Sequence, residues 1–96
     1  MNFTKMMFSM VMDGIKDTDM IIEYAMCARR AGRQDMVEWF RTRAEHRMGM
    51  LKEDYARVNE ATNLERKADQ GDEMADAFRD HLHEQMEALE RKLNML

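Results

Sequence analysis

The sequence contains no proline and only four glycines, so few of its residues would end or bend a helix. Aromatic residues make up only 7% of the chain, and the common residues are Ala, Leu, Met, Glu, Arg and Lys, which gives a β-sheet almost no support. No apolar run approaches the roughly 18 residues that a membrane-spanning helix needs. The composition of these 96 residues therefore predicts one small all-α domain with no membrane association.

Cysteine is almost absent as well, because Cys27 is the only one in the chain. No disulfide can form within the chain, and a reducing, cytoplasmic location is the simplest expectation. A nucleophilic thiol would need a neighbouring histidine and an oxyanion site, and the sequence shows neither arrangement. We therefore predict no catalytic role for Cys27.

The net charge of −4 is spread unevenly along the sequence. Residues 27–47 hold six arginines against three acidic residues, whereas residues 48–96 hold seven basic against twelve acidic residues. Binding to a nucleic acid depends on cations concentrated on one face, and the acidic total argues against that function. We expect the basic segment to dock on the acidic C-terminal helix of the same or a neighbouring chain.

The stretch "RRAGRQDMVE" contains the clearest border between two helices. Gly32 suits the left-handed position after a helix, and the two preceding arginines suit the negative end of the helix dipole. Asp35 followed three residues later by Glu38 forms a capping-box pattern. We predict a first helix over about 3–31 and a second from about 36. A connection this short makes them antiparallel neighbours.

The second border has two candidates in the sequence. The segment "NEATN" at 59–63 collects poor helix formers, whereas "DQGDE" at 69–73 offers a glycine and an aspartate suited to helix ends. The prediction places the end of helix 2 near Asn59, with Asp69 as the alternative. Helix 3 then begins at about 63 or 72 and continues to about 95. The predicted fold is a long antiparallel helical hairpin plus a C-terminal helix, which forms a helical bundle by homo-oligomerisation.

The first helix has more apolar surface than one neighbour can cover. Its main apolar residues fall within an arc of roughly 160° at 100° per residue; they are Phe3, Met7, Phe8, Val11, Ile15, Ile21, Ile22, Ala25 and Ala28. A second stripe of methionines and Tyr24 borders this arc. Thirteen methionines in the chain favour flexible core filling or an adaptable partner surface over a copper site, because those of helix 1 do not converge on one place.

The second helix shows a heptad in which two core positions are charged. Val37, Phe40, Ala44, Arg47, Leu51, Asp54, Val58 and Ala61 recur at alternating steps of three and four. Arg47 and Asp54 either form ion pairs across an oligomer seam or lie at its border and reach solvent. Trp39 lies at the flank of this stripe and is a candidate interface anchor. The predicted interface residues are Met6, Met10, Met20, Tyr24, Trp39, Arg47 and Asp54.

The stretch "ARRAGRQDMVEWFRTRAEHRMGML" resembles the first helical hairpin of ferritin-like proteins, of the rubrerythrin and encapsulated-ferritin type, over about residues 22–55. The resemblance implies a four-helix bundle completed by association between chains. It also implies a di-iron centre held by a carboxylate of helix 1 and a Glu-x-x-His of helix 2. In this sequence Arg47 stands at the position of that glutamate and Met50 at the position of that histidine.

These departures decide the functional prediction. A guanidinium is always protonated and cannot bind a cation, and a thioether suits carboxylate-rich iron sites poorly. We therefore predict a non-catalytic helical assembly or adaptor protein without a metal or cofactor, whose partner is itself, as a homodimer, or another protein. The alternative is a ferritin-like protein that binds iron or manganese with ligands assembled between subunits from Glu23, Glu45, His46 and acidic residues of helix 3.

Overall fold

The computed structural model of the protein describes residues 3–68 and 73–96, except for the side chains of residues 3 and 4. These residues form three helices: α1 spans Phe3–Arg30, α2 spans Gln34–Lys67 and α3 spans Glu73–Asn94. No strand occurs in these ranges, which confirms the all-α prediction. Within the same ranges, no helix is both long enough and apolar enough to cross a membrane.

Gly32 ends α1 with the positive φ that its position in the sequence predicts. Its φ is 72°, which an L side chain adopts only with strain. The Gly32 N–H donates to the Arg29 carbonyl at 3.0 Å, and the Arg33 N–H donates to the Ala28 carbonyl at 2.9 Å. These two bonds form a Schellman cap. The connection between α1 and α2 is therefore short and fixed in shape.

The predicted capping box at the start of α2 is wrong. The helix begins at Gln34, so Arg33 occupies the N-cap position and makes no side-chain capping bond. Asp35 already lies inside the first turn, where its carboxylate accepts from the Arg33 guanidinium at 3.1 and 3.0 Å. Glu38 accepts from Gln34 at 3.1 Å and from Arg41 at 2.6 Å. Both carboxylates thus bind neighbouring side chains, and neither residue occupies the N-cap position.

The predicted end of α2 near Asn59 is also wrong, because the helix continues through residues 59–63 to Lys67. Thr62 is buried and its hydroxyl donates to the Val58 carbonyl at 2.9 Å, so this poor helix former is accommodated within the helix. α3 also supports the extension, since Arg66 pairs with Asp76 at 2.6 Å. Tertiary packing therefore outweighs local propensity here. Gly71 and Asp72, the predicted signals of the other border, lie outside the described residues.

α1 and α2 pack along each other and run in opposite directions. Tyr24 lies against Phe40 with ring centroids 5.7 Å apart, and Asp17 pairs with Arg47 at 3.3 Å. Leu51 lies so close to Gly14 that a Cβ there would be 2.9 Å from its Cδ1. Residue numbers thus fall in α1 as they rise in α2. α2 has 34 residues and, at a rise of about 1.5 Å per residue, spans most of the 54 Å length of the molecule.

The core lies along the line where the three helices meet. Its buried apolar residues are Phe8, Val11, Ile22, Ala25, Ala44, Met48, Leu51, Val58, Leu82, Met86, Leu89, Leu93 and Leu96. The α1 members belong to the arc predicted from the sequence, and Met86, not Gln85, is the buried member of its turn in α3. Each helix therefore contributes one continuous apolar stripe to a single core.

α3 covers one side of the α1–α2 pair. Its Lys92 donates to Asp19 of α1 at 2.8 Å, and its Glu90 pairs with Lys52 of α2 at 2.5 Å. At the end of α3, Arg29 donates to the Met95 carbonyl at 3.0 Å. Arg29 and Arg41 both also donate to the Leu96 backbone oxygen. Two arginines of the basic segment thus contact the residues that directly follow α3, and they bind backbone oxygens at the negative end of the helix dipole instead of the predicted acidic side chains of the helix.

Candidate functional site

An exposed, partly apolar surface runs along the side of the α1–α2 pair that α3 does not cover. We call it the outer face; it consists of Met6, Met10, Asp13, Asp17, Met20 and Tyr24 of α1 and of Trp39, Arg43, Arg47 and Met50 of α2. Asp19 and Glu23 of α1 form ion pairs with Lys92 of α3. They lie roughly 120° around the helix from the outer face, at 100° per residue. The outer face and α3 therefore occupy different sides of α1.

All six large apolar side chains of the outer face are about half exposed. The exposed fractions run from 46% for Met6 and Met50 to 54% for Met20. Five of the six, all but Met50, were predicted as interface residues from the sequence. A row of such side chains leaves apolar area in water, and this area would be removed from water if a second surface covered it.

An aromatic cluster stands at one end of the outer face. Trp39 meets Phe40 edge to face, with ring centroids 5.0 Å apart and an interplanar angle of 83°. Tyr24 also packs against Phe40, with ring centroids 5.7 Å apart. The Arg43 guanidinium lies over the Trp39 ring, 4.6 Å from its centroid. Half-buried Phe40 thus anchors two exposed aromatic rings, and the arginine adds a cation–π contact.

Arg47 does not occupy the core of the α1–α2 seam, where the heptad placed it. Its side chain is 44% exposed and reaches Asp17 of α1 at 3.3 Å. The neighbouring Met48 is the buried residue, with only 4% exposed. Because α2 packs against both α1 and α3, the buried side of α2 is centred between these two helices. Met48 lies within this buried side, whereas Arg47 lies at its edge. The border position, one of the two alternatives left open by the sequence, is the observed one.

Asp54, in contrast, pairs within its own helix. Its carboxylate accepts from Arg57 at 3.0 Å, and its side chain is 28% exposed. Arg47 and Asp54 therefore have different partners within the chain. The pair Asp54–Arg57 is neutral as a unit, so it adds little net charge to this side of α2. The charges left over at the outer face are those of Asp13, Asp17, Arg43 and Arg47.

The three residues of the metal-binding alternative do not come together within one chain. Glu23 accepts a hydrogen bond from Lys92 of α3. Glu45 and His46 are exposed on α2. In the described ranges, no group of three or more His, Cys, Asp or Glu side chains is arranged to hold a metal ion. The methionines near His46 also diverge, because Met48 is buried whereas Met50 is exposed.

Lys92 is the cation of a structural ion pair between α3 and α1. It donates to Asp19 and to Glu23, and these two hydrogen-bonded carboxylates raise the pKa of Lys92. The amine therefore stays protonated at neutral pH and does not act as a nucleophile or general base. The shallow groove beside it, between α1 and α3, is lined partly by Ile15, Ala88 and Leu89.

Besides Met50, the members of the outer face that were not predicted as interface residues are the charged residues Asp13, Asp17 and Arg43. Helical wheels of separate helices place the two aspartates on a polar side and do not show what lies across from them. The register of α1 against α2, fixed by the Gly14–Leu51 approach, brings Asp17 to Arg47. Charged residues of opposite sign flanking a methionine stripe were the signal available in the sequence.

Comparisons of this chain with models of known protein families, with curated proteins and with solved structures find no match.

Proposed function

We propose that the protein is a non-catalytic helical assembly protein that associates with a second copy of itself through the outer face. In this proposal α1 and α2 form the hairpin of a larger bundle, and a second hairpin covers the side opposite α3. The assembled dimer then presents its remaining surfaces, including the acidic exterior of α3, to other proteins as an adaptor.

The concentration of exposed apolar side chains on one face carries this proposal. Ten large apolar residues are exposed in the described part of the chain, and six of them belong to the outer face. Scattered exposed residues are normal on a monomer, whereas a contiguous row that runs along two helices is typical of an interaction surface. A chain of 96 residues also gains stability from the apolar area that a second copy buries.

The composition of the aromatic cluster supports the same conclusion. Trp, Tyr and Arg are the residue types enriched at the energetic centres of protein interfaces. Here Tyr24, Trp39 and Arg43 lie together, and Phe40 holds both rings in place. We expect this cluster to contribute most of the binding free energy. The flexible methionine side chains around it should adjust their conformations to the partner's surface.

Light scattering coupled to size-exclusion chromatography tests the proposal. At micromolar concentration we expect twice the chain mass of 11.5 kDa. Met20→Lys should give the mass of one chain, because it places a charge within the covered surface, where desolvation is costly. Met12→Lys is the matched control, since Met12 is exposed on α1 outside the outer face. It should leave the dimer intact. A single chain mass for the unmodified protein would contradict the proposal.

The ferritin-like alternative requires iron or manganese ligands from two subunits. Metal analysis of protein purified without chelators distinguishes the two functions. Stoichiometric iron or manganese that is lost in His46→Ala would replace the assembly proposal with the ferritin-like one. Protein that forms the dimer with no stoichiometric metal supports the assembly function.

A further inference from the structure

We infer that α1 of one chain packs on α2 of its partner, about a two-fold axis parallel to the helices, so that the aspartates of one chain face the arginines of the other. The inference rests on the proposed self-association and adds its register. Its evidence is the distribution of charge on the outer face and the relative levels of the residues in α1 and α2.

The two edges of the outer face carry opposite charges. On the α1 edge, Asp13 and Asp17 stand between the methionines; on the α2 edge, Arg43 and Arg47 stand between Trp39 and Met50. Asp17 and Arg47 already pair within the chain at 3.3 Å. Asp13 and Arg43 have no ion-pair partner in the part of the chain that the structure describes. The face therefore carries one unpaired charge of each sign on different helices.

Two-fold symmetry permits two ways of stacking one hairpin on another. If the axis lies across the helices, α1 faces α1 of the partner, and aspartates meet aspartates while arginines meet arginines. If the axis runs along the helices, α1 faces α2 of the partner, and every charged edge meets its opposite. Like charges in direct contact disfavour an interface, whereas opposite charges select it. The charges thus favour the second arrangement.

The levels of the residues agree with this arrangement. A rotation about an axis parallel to the helices leaves each residue at its own height along the bundle. Tyr24 lies level with Phe40 and Asp17 with Arg47 within the chain, so they also lie level with the corresponding residues of the second copy. Met20 and Tyr24 then meet the partner's Trp39 and Arg43, and Asp13 comes within a turn of the partner's Arg47. All neighbouring helices in the resulting bundle of four helices, two from each chain, are antiparallel.

Charge reversal distinguishes the two registers. In Arg43→Glu/Arg47→Glu, both copies of the α2 edge turn negative and face the partner's aspartates, so the Kd should rise on the order of tenfold or more. Adding Asp13→Lys/Asp17→Lys to the same chain exchanges the two edges and should recover the affinity, except for the part due to the lost Arg43–Trp39 contact. With α1 on α1, like charges still face each other after both changes, so the added lysines would recover none of the affinity.

Disulfide trapping provides a second readout that does not depend on charge. In a Cys27→Ser background, chains with Met20→Cys are mixed with chains with Arg43→Cys and oxidised. The inferred register predicts a disulfide between the two kinds of chain in preference to one between identical chains. Preferential linkage of identical Met20→Cys chains, or no recovery of the Kd when the two lysines are added to the arginine reversal, would overturn the register while leaving self-association intact. A single chain mass for the unmodified protein would overturn both.

Discussion

Replacing Gly14 by alanine tests how closely α1 and α2 approach each other. An alanine Cβ would lie 2.9 Å from Leu51 Cδ1 and 3.9 Å from Leu51 Cγ. Leu51 is only 2% exposed, so its side chain has little free space into which it can move. The substitution therefore forces a buried side chain, or the helices themselves, to shift.

Two effects of opposite sign determine the result. Alanine gains about 1 kcal/mol over glycine in the interior of a helix. Forcing an extra methyl group into a packed core costs about 1–3 kcal/mol. We expect Gly14→Ala to lower the free energy of unfolding by up to about 2 kcal/mol, because the second effect exceeds the first at a buried contact. Gly49→Ala is the matched control, since a Cβ at Gly49 meets nothing within 4 Å. It should raise the stability by about 1 kcal/mol.

Urea unfolding followed by far-UV circular dichroism measures both variants, at one fixed protein concentration because association contributes to stability. The two variants should differ by about 1–3 kcal/mol, with Gly49→Ala the more stable. A Gly14→Ala protein stabilised as much as Gly49→Ala would show that Leu51 does not lie against Gly14. The register of α1 on α2 would then be wrong.

The same unfolding assay tests two further contacts. Lys92→Met should lower stability by roughly 0.5–1 kcal/mol at neutral pH, because it removes the cation between two carboxylates of α1. The pKa of Lys92 in the folded protein lies above its ordinary value of 10.5. The stability difference between the unmodified protein and Lys92→Met should therefore be complete below pH 10.5 and disappear as the pH rises through the folded pKa. A stability difference that persists above the folded pKa would contradict the ion pair. Gly32→Ala should cost roughly 1–2 kcal/mol because of the positive φ. Gly32→Asn should cost less, and equal stability of all three proteins would contradict the left-handed cap.

The sequence contains enough local information to place α1 and its end. A wide apolar arc without proline predicts the helix, and Gly32 after two arginines predicts its last turn. α1 ends at Arg30, one residue before the predicted limit, and α2 begins two residues before its predicted start. These features depend on neighbouring residues only, so a sequence pattern captures them.

The features that depend on tertiary contacts, such as the position of Arg47 and the end of α2, were left open or predicted wrongly from the sequence. The heptad of α2 placed Arg47 in the core because it considered a seam with one neighbour. α3 adds a second neighbour, and the buried position moves to Met48. The segment at 59–63 looked like a helix end, yet Val58 and Thr62 are buried there and the helix continues. Local propensity is a weak guide wherever a third element packs on the segment.

The outer face could be predicted only in part for the same reason. Its methionines and Trp39 can be identified by residue type and spacing. The register of α1 on α2 determines which of its charged residues lie next to each other, and this register cannot be read from either helix alone. Asp17 lies 30 residues before its partner Arg47, and nothing local joins the two.

The emission of Trp39 measures coverage of the outer face most directly, since this is the only tryptophan in the chain and its side chain is half exposed when the chain is alone. We predict that its emission maximum moves to longer wavelength on dilution, over the same concentration range in which the mass falls from two chains to one. An emission maximum that stays constant while the mass halves would show that the chains associate elsewhere. A constant maximum together with the mass of one chain at all concentrations would contradict self-association itself.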